Sequence, residues 1–327
     1  MRKEARKTIN PEIAHVQGYH GDRGQQRAFG LDYSVRGFRG NWYFNSDRKE
    51  KVHQEGHFMV RDNGQAMQGF GLEIETECRG VYNQAVLAEV LDKIVFPVFK
   101  FGADMFKMQN DISLGGDTNA EIITQVMTKQ RIRNDYASYK AMFDKYFPAF
   151  GITADSYETT CGMHVNVSNA VFGKTEEQQI EAIRKLYHFI NRNYELSLRL
   201  LYRDPSKRQW CGRMYDDART LDLQNASGSH GNCLNLSHFP EGRIEIRLVG
   251  GQKNYYCFRN TMETIFFLCD RMRTIGWDEI DNLAKVFKGC NQYVYKRLFT
   301  ECADYLSQGL IDEIYSNVKE EDLELHN

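Results

Sequence analysis

The run Gly71-Leu72-Glu73-Ile74-Glu75-Thr76-Glu77 constrains this chain more than any other, because acidic residues alternate with mostly aliphatic ones through seven positions. A period of two is that of a β-strand, so Phe70, Leu72 and Ile74 can enter a core while Glu73, Glu75 and Glu77 share the opposite face. Two strand rises separate neighbouring carboxylates by roughly 7 Å. At that spacing, repulsion raises carboxylate pKa values unless a cation is present. A hard divalent metal is the simplest such cation.

Three further segments repeat this design. In Cys161-Gly162-Met163-His164-Val165-Asn166-Val167-Ser168 the polar face carries His164, Asn166 and Ser168. In Arg243-Ile244-Glu245-Ile246-Arg247-Leu248-Val249 it carries Arg243, Glu245 and Arg247, and Cys233-Leu234-Asn235-Leu236-Ser237-His238 offers Asn235 and Ser237. Four strands with one apolar and one functional face predict a single sheet, packed by helices on one side and open on the other.

The 42 basic and 44 acidic residues leave a formal charge of −2, so nothing global points to nucleic acid or an anionic membrane. The basic opening Met1-Arg2-Lys3-Glu4-Ala5-Arg6-Lys7 lacks the apolar stretch of a secretory signal, and no run of about 18 apolar residues occurs. The expectation is a soluble cytoplasmic protein. Eight cysteines, none in a C-x-x-C pair, read as reduced and mostly buried thiols. Cys161 and Cys211 could line a site, but a catalytic thiol needs a paired base that sequence does not display.

Three regions are expected. Residues 1–65, rich in Gly, Arg and aromatics as in Arg36-Gly37-Phe38-Arg39-Gly40-Asn41-Trp42-Tyr43, read as an irregular extension. Interleaved Arg and aromatic residues can bind single strands or a partner surface, although a loop-rich arm folded on the main domain fits the balanced charge better. His53 and His57, four apart without an apolar stripe, read as surface histidines. Residues 66–275 alternate strand-like and helix-like stretches and form the expected catalytic domain. Helices are predicted near Gln84–Phe99 and Arg131–Tyr146, over Glu176–Leu201 with a Thr175-x-x-Gln178 capping pattern, and over Tyr255–Met272; Glu121–Thr124 is predicted as a strand. Residues 276–327 are expected to be helical over Val294–Tyr315 and to end in a fraying acidic tail, 319–324.

Phe172-Gly173-Lys174-Thr175 sits between a predicted strand and helix as a phosphate-binding loop would. The motif requires a further Gly where Ser168 stands, so a turn and a helix cap explain it. The stronger constellation is Glu73, Glu75, Glu121, His164 and Glu245, an oxygen-dominated set that suits Mg²⁺ or Mn²⁺ better than zinc. Taken alone, exposed strand glutamates are as readily a solvated face as a site. Arg243 and Arg247 beside such carboxylates call for an anion, phosphate being the natural one, unless they pair with the glutamates themselves.

These segments, in this order and together with Asp111-Ile112-Ser113-Leu114, resemble the amidoligases, carboxylate–amine ligases that share the catalytic fold of glutamine synthetase and glutamate–cysteine ligase. The resemblance spans about residues 69 to 270. It implies an α+β fold, a curved and mainly antiparallel sheet with helices on one face. It also implies that Glu73, His164 and Glu245 hold one divalent ion and Glu75 and Glu121 another, the ions bridging the phosphates of ATP. Arg247, with Arg243, would stabilise the transferring phosphoryl group. Asp111 and Ser113 match a D-x-S element near the reacting substrate, Arg208 and Cys211 a looser Arg/Cys element, and Asn166, Asn235, Ser113 and Arg208 would contact the nucleotide. Asn166 departs from the family pattern, where many relatives carry a second histidine. Glu77 is an extra carboxylate, a third metal ligand or a contact for the substrate amine.

The implied reaction is ATP-dependent formation of an amide or isopeptide bond through an acyl phosphate, with Glu77 or Asp111 taking a proton from the incoming ammonium. The implied partners are a carboxylate and an amine, small or part of a macromolecule, with no membrane and no nucleic acid; homo-oligomerisation is left open. Two other readings stand beside it. One is phosphoryl transfer to nitrogen on a related sheet, as in guanidino kinases. The other is a binding or scaffold protein that uses the Arg/aromatic arm.

Overall fold

The computed structural model describes residues 68–79, 87, 90–99, 106–109, 114, 118–214, 216–226, 231–316 and 318. The expected arm over residues 1–65 with His53 and His57, the D-x-S pair Asp111 and Ser113, and the acidic tail 319–324 lie outside them. The described fold is α+β, with a mostly antiparallel, uncurled sheet and helices. The absence of curl corrects the expected curvature. Apart from one nine-residue strand, the strands have only two to six residues, too little length for twist to accumulate into coiling. Among the described residues, no helix is long and apolar enough to cross a membrane. The chain divides into two compact units, one taking 71–163 and 251–255 and the other 68–70, 164–250 and the chain from 256 onward.

In the first unit the strand order is β2 (Phe106–Gln109), β3 (Asn119–Thr124), β1 (Phe70–Cys78), and β4 (Ile152–Thr153) pairs with the end of β1. The β1–β3 register sets Glu75 opposite Glu121, Glu73 opposite Ile123 and Glu77 opposite Asn119. Leu72 and Ile74 are fully buried, as their alternation predicts. Phe96 stacks on Phe106, while Phe99 meets both Phe106 and Tyr139 edge-on, an aromatic layer that anchors the following helical segment. That segment is broken where one helix was expected. α1 (Lys129–Asn134) is capped by the Thr128 side chain, and Asp135 separates it from α2 (Tyr136–Lys140). A π-helical stretch, Ala141–Tyr146, leads into α3 (Phe147–Phe150). Gly151, at φ 66, then supplies the left-handed residue that ends it. The predicted helix near Gln84–Phe99 is helical where described, over Leu91–Val95 and Phe96–Val98.

In the second unit the order is β5 (Met163–Ser168), β7 (Arg243–Ile246), β6 (Leu234–Asn235), all antiparallel. The register pairs Asn166 with Glu245, and Asn235 with Glu245 from the other side. α4 (Glu176–Arg192) begins with the predicted capping box, in which the Thr175 hydroxyl accepts from the Gln178 N–H and the Gln178 side chain accepts from the Thr175 N–H. α4 buries Ile183, Leu186, Tyr187 and Ile190. Its expected continuation to Leu201 is interrupted at Asn193, whose side chain and N–H both donate to the Phe189 carbonyl; α5 (Tyr194–Leu200) follows. An Asn that competes for helix carbonyls in this way ends the run. α6 (Tyr255–Met272) has its predicted bounds. After α7 (Leu283–Val286), the single helix expected over Val294–Tyr315 is instead α8 (Gln292–Glu301), a 3₁₀ turn (Ala303–Tyr305) and α9 (Gln308–Tyr315). Asn291 caps α8 and Ser307 caps α9, each accepting from backbone N–H groups one turn in.

Candidate functional site

The first unit supplies the carboxylates. On β1, Glu75 is buried and Glu73 and Glu77 are half-buried. On β3, Glu121 is buried directly opposite Glu75, and the two side chains bring carboxylate oxygens within 4.8 Å of one another. Opposed like charges on neighbouring strands repel, and removal from water strengthens the repulsion. One backbone contact offsets it: the Gly162 N–H donates to the Glu75 carboxylate, and the Gly162 carbonyl accepts from the Glu75 N–H. Glu77 accepts from the Thr160 hydroxyl at 3.2 Å. Burial first, then the nearby Glu75 and Glu77 charges, push the Cys161 thiol well above its usual range, so that sulfur is no nucleophile at neutral pH.

The second unit supplies a cluster centred on Glu245, which is 5% exposed. Its carboxylate accepts from Arg247 Nη1 at 2.6 Å and from Asn235 Nδ2 at 2.9 Å, and it lies 3.4 Å from His164 Nδ1. Arg247 Nη1 is also 3.5 Å from that imidazole nitrogen. Asn235 is held in turn by the N–H and hydroxyl of Ser237, both donating to its Oδ1. Arg243 donates to Asn166 Oδ1. The pairing alternative therefore holds for Arg247, which meets Glu245. Arg243 meets the Asn166 amide and lies 4.0 Å from Glu241, which is not one of the expected metal ligands.

No family model matches this chain, and no curated protein does either. What the geometry brings together is a pair of facing carboxylates in one unit and a Glu–Arg–His–Asn cluster in the other. Oxygen donors with one imidazole are the chemistry of a Mg²⁺ or Mn²⁺ site, so the residues present fit such an ion.

Other expected site residues lie apart. Arg208, on the 3₁₀ turn Pro205–Trp210, is two-thirds exposed and 3.6 Å from the half-buried Glu195. Cys211 is fully buried, its carbonyl accepting from the Tyr194 hydroxyl. Burial raises its thiol pKa, against the opposing effect of Arg203 and Arg247 nearby. All eight cysteines are free and buried, as expected of reduced thiols. The Thr160 contact with Glu77 was not read from the sequence. Thr160 stands two residues before the Gly162-x-His164 motif and in phase with it, a signal available in the alternation itself.

Proposed function

We propose that this chain is an ATP-dependent carboxylate–amine ligase of the amidoligase type, built on a glutamine synthetase-like catalytic fold. The observation that carries the reading is the burial of Glu75 opposite Glu121, because two facing buried carboxylates repel and a divalent cation between them would relieve that repulsion. The Glu245 cluster supports it, since a buried carboxylate in contact with both an arginine and an imidazole combines metal-ligand and anion-binding chemistry.

On this reading Glu75 and Glu121 hold one divalent ion, His164 and Glu245 hold another, and Glu73 is a further ligand. Bound Mg²⁺ supplies charge neutralisation for ATP phosphates. The substrate carboxylate attacks the γ-phosphorus, the bond to the β–γ bridging oxygen breaks, and ADP leaves with that electron pair. An amine then attacks the acyl carbon, inorganic phosphate leaves, and the ammonium proton passes to a site carboxylate, for which Glu77 beside Thr160 is placed on the same strand face as Glu75. Arg247 contributes positive charge for the equatorial oxygens, the type of preorganised interaction worth several kcal/mol in a transition state. The acid and the amine are defined here by class only.

The test is calorimetric titration of ATP with and without Mg²⁺, for wild type beside Glu75→Ala and Glu245→Ala. Mg²⁺-dependent binding lost in both variants supports the ligase; absence of nucleotide binding to folded wild type overturns it.

A further inference from the structure

We infer that Arg203 is an oxyanion-binding residue, its guanidinium lacking a counter-charge of its own because a phosphoryl or carboxylate group of a bound ligand supplies it. Arg203 is 3% exposed, yet it makes no ion pair among the described residues. In its side chain Nη1 donates to the Val249 carbonyl at 3.3 Å, the neutral Cys211 thiol is a further contact, and Nε has no partner. A buried guanidinium left this incomplete is destabilising in the unliganded protein.

Two other arginines of the same unit each have a carboxylate within ion-pair distance. Arg297 is equally buried, but its Nε and Nη2 donate to the carbonyls of Leu200 and Arg199 at the end of α5. Its Nη1, without a hydrogen bond, lies 3.5 Å from Glu301, and its plane stacks over Tyr202. It caps a helix. Arg247 has Glu245 at 2.6 Å. Arg203 has neither a helix end nor a carboxylate.

Its placement is fixed from both sides. Tyr202 is the one non-glycine residue at positive φ among the described residues, at 60°, a conformation that carries strain for a side chain of this size. Gly250 presses on the same point, since a Cβ there would sit 2.0 Å from the Tyr202 carbonyl oxygen and 2.8 Å from the Arg203 Cα. The Arg203 backbone is thereby held against the segment that follows β7, where its guanidinium meets the Val249 carbonyl. Arg203 and Arg247 both lie near the Cys211 thiol. A planar guanidinium with unfilled donors is suited to a bidentate oxyanion.

The inference does not require the ligase reading, and its test uses neither ATP nor Mg²⁺. The full chain is titrated with inorganic phosphate, pyrophosphate and acetate, against sodium chloride of matched ionic strength, with the unfolding midpoint and calorimetric affinity as readouts. Wild type should gain midpoint with at least one oxyanion beyond the chloride control; phosphate or pyrophosphate alone points to a phosphoryl source and acetate alone to a carboxylate source. Arg203→Met should lower that affinity tenfold or more while its midpoint in plain buffer stays level or rises, as expected when an uncompensated charge is removed. Arg203→Lys keeps the charge without the fork, and should weaken binding less. Three results overturn the inference: no oxyanion response in wild type, an undiminished response in Arg203→Met, or, should that variant fail to fold, wild-type affinity in Arg203→Lys.

Discussion

Glu75 and Glu121 face one another across adjacent antiparallel strands, both buried, with the Glu75 carboxylate held by the backbone N–H of Gly162. Opposed buried carboxylates repel one another, so on the proposed reading stability and metal binding are coupled through this pair. Glu121→Gln should raise the unfolding midpoint in chelator, by the equivalent of about 0.2–1 kcal/mol for an opposed like-charge pair or more given the burial. The same variant should lose most of the stabilisation that saturating Mg²⁺ confers on wild type. A midpoint that falls in chelator would show that the pair is already balanced by other groups.

Glu245 and Arg247 should be coupled more strongly than a surface pair, because the carboxylate is buried and Asn235 fixes its orientation. Removing one partner of a buried pair typically costs about 3–5 kcal/mol. Arg247→Ala, which leaves the buried Glu245 carboxylate uncompensated, is therefore expected to lower stability by that order, and Glu245→Ala by less, since the guanidinium left behind is partly solvated. Denaturant unfolding of both single variants and the double variant should give a clearly favourable coupling energy.

Gly251 admits no side chain. A Cβ there would lie 2.0 Å from the Ala154 carbonyl oxygen and 2.9 Å from that of Cys161, both backbone atoms that cannot rotate away. Gly251→Ala should cost about 2 kcal/mol or more by forcing the segment ahead of Gly162 to move. Gly309→Ala, where a Cβ meets nothing within 4 Å, is the control and should change stability by no more than about 1 kcal/mol.

The buried thiols give an alkaline pH dependence with a definite sign. Burial pushes Cys233 and Cys302 from 9.0 up to about 12, so the folded state keeps protons that the unfolded chain releases. That contribution is fully present below the unfolded thiol value and is lost as pH rises from about 9 toward 12. Equilibrium unfolding across this window should show falling stability, and iodoacetamide at neutral pH should label the native protein slowly but all eight cysteines after denaturation.

Local patterns carried much of this structure. The alternation at Phe70–Cys78, Met163–Ser168 and Arg243–Ile246 places apolar residues inward because period two is a property of the extended backbone itself, whatever it packs against. The bounds of α6 and the Thr175 cap were legible for the same reason, each being decided within a turn or two. The breaks at Asp135, Asn193 and Cys302 were not, although the capping residues Thr128, Asn291 and Ser307 stand in the sequence as signals for new helix starts. Continuous apolar periodicity concealed them. β2 and β4, at four and two residues, carry too little pattern to register and exist through pairing with β3 and β1.

The sequence by itself determined which residue types share a strand face, and hence that Glu73, Glu75 and Glu77 form one row and Arg243, Glu245 and Arg247 another. Only the tertiary structure decided that Glu121 lies opposite Glu75, that Arg247 meets Glu245 while Arg208 stays at the surface, and that Arg203 is buried without a carboxylate. Face is a local consequence of backbone geometry. Register, burial and charge pairing depend on segments distant in sequence, and no window of the chain contains them.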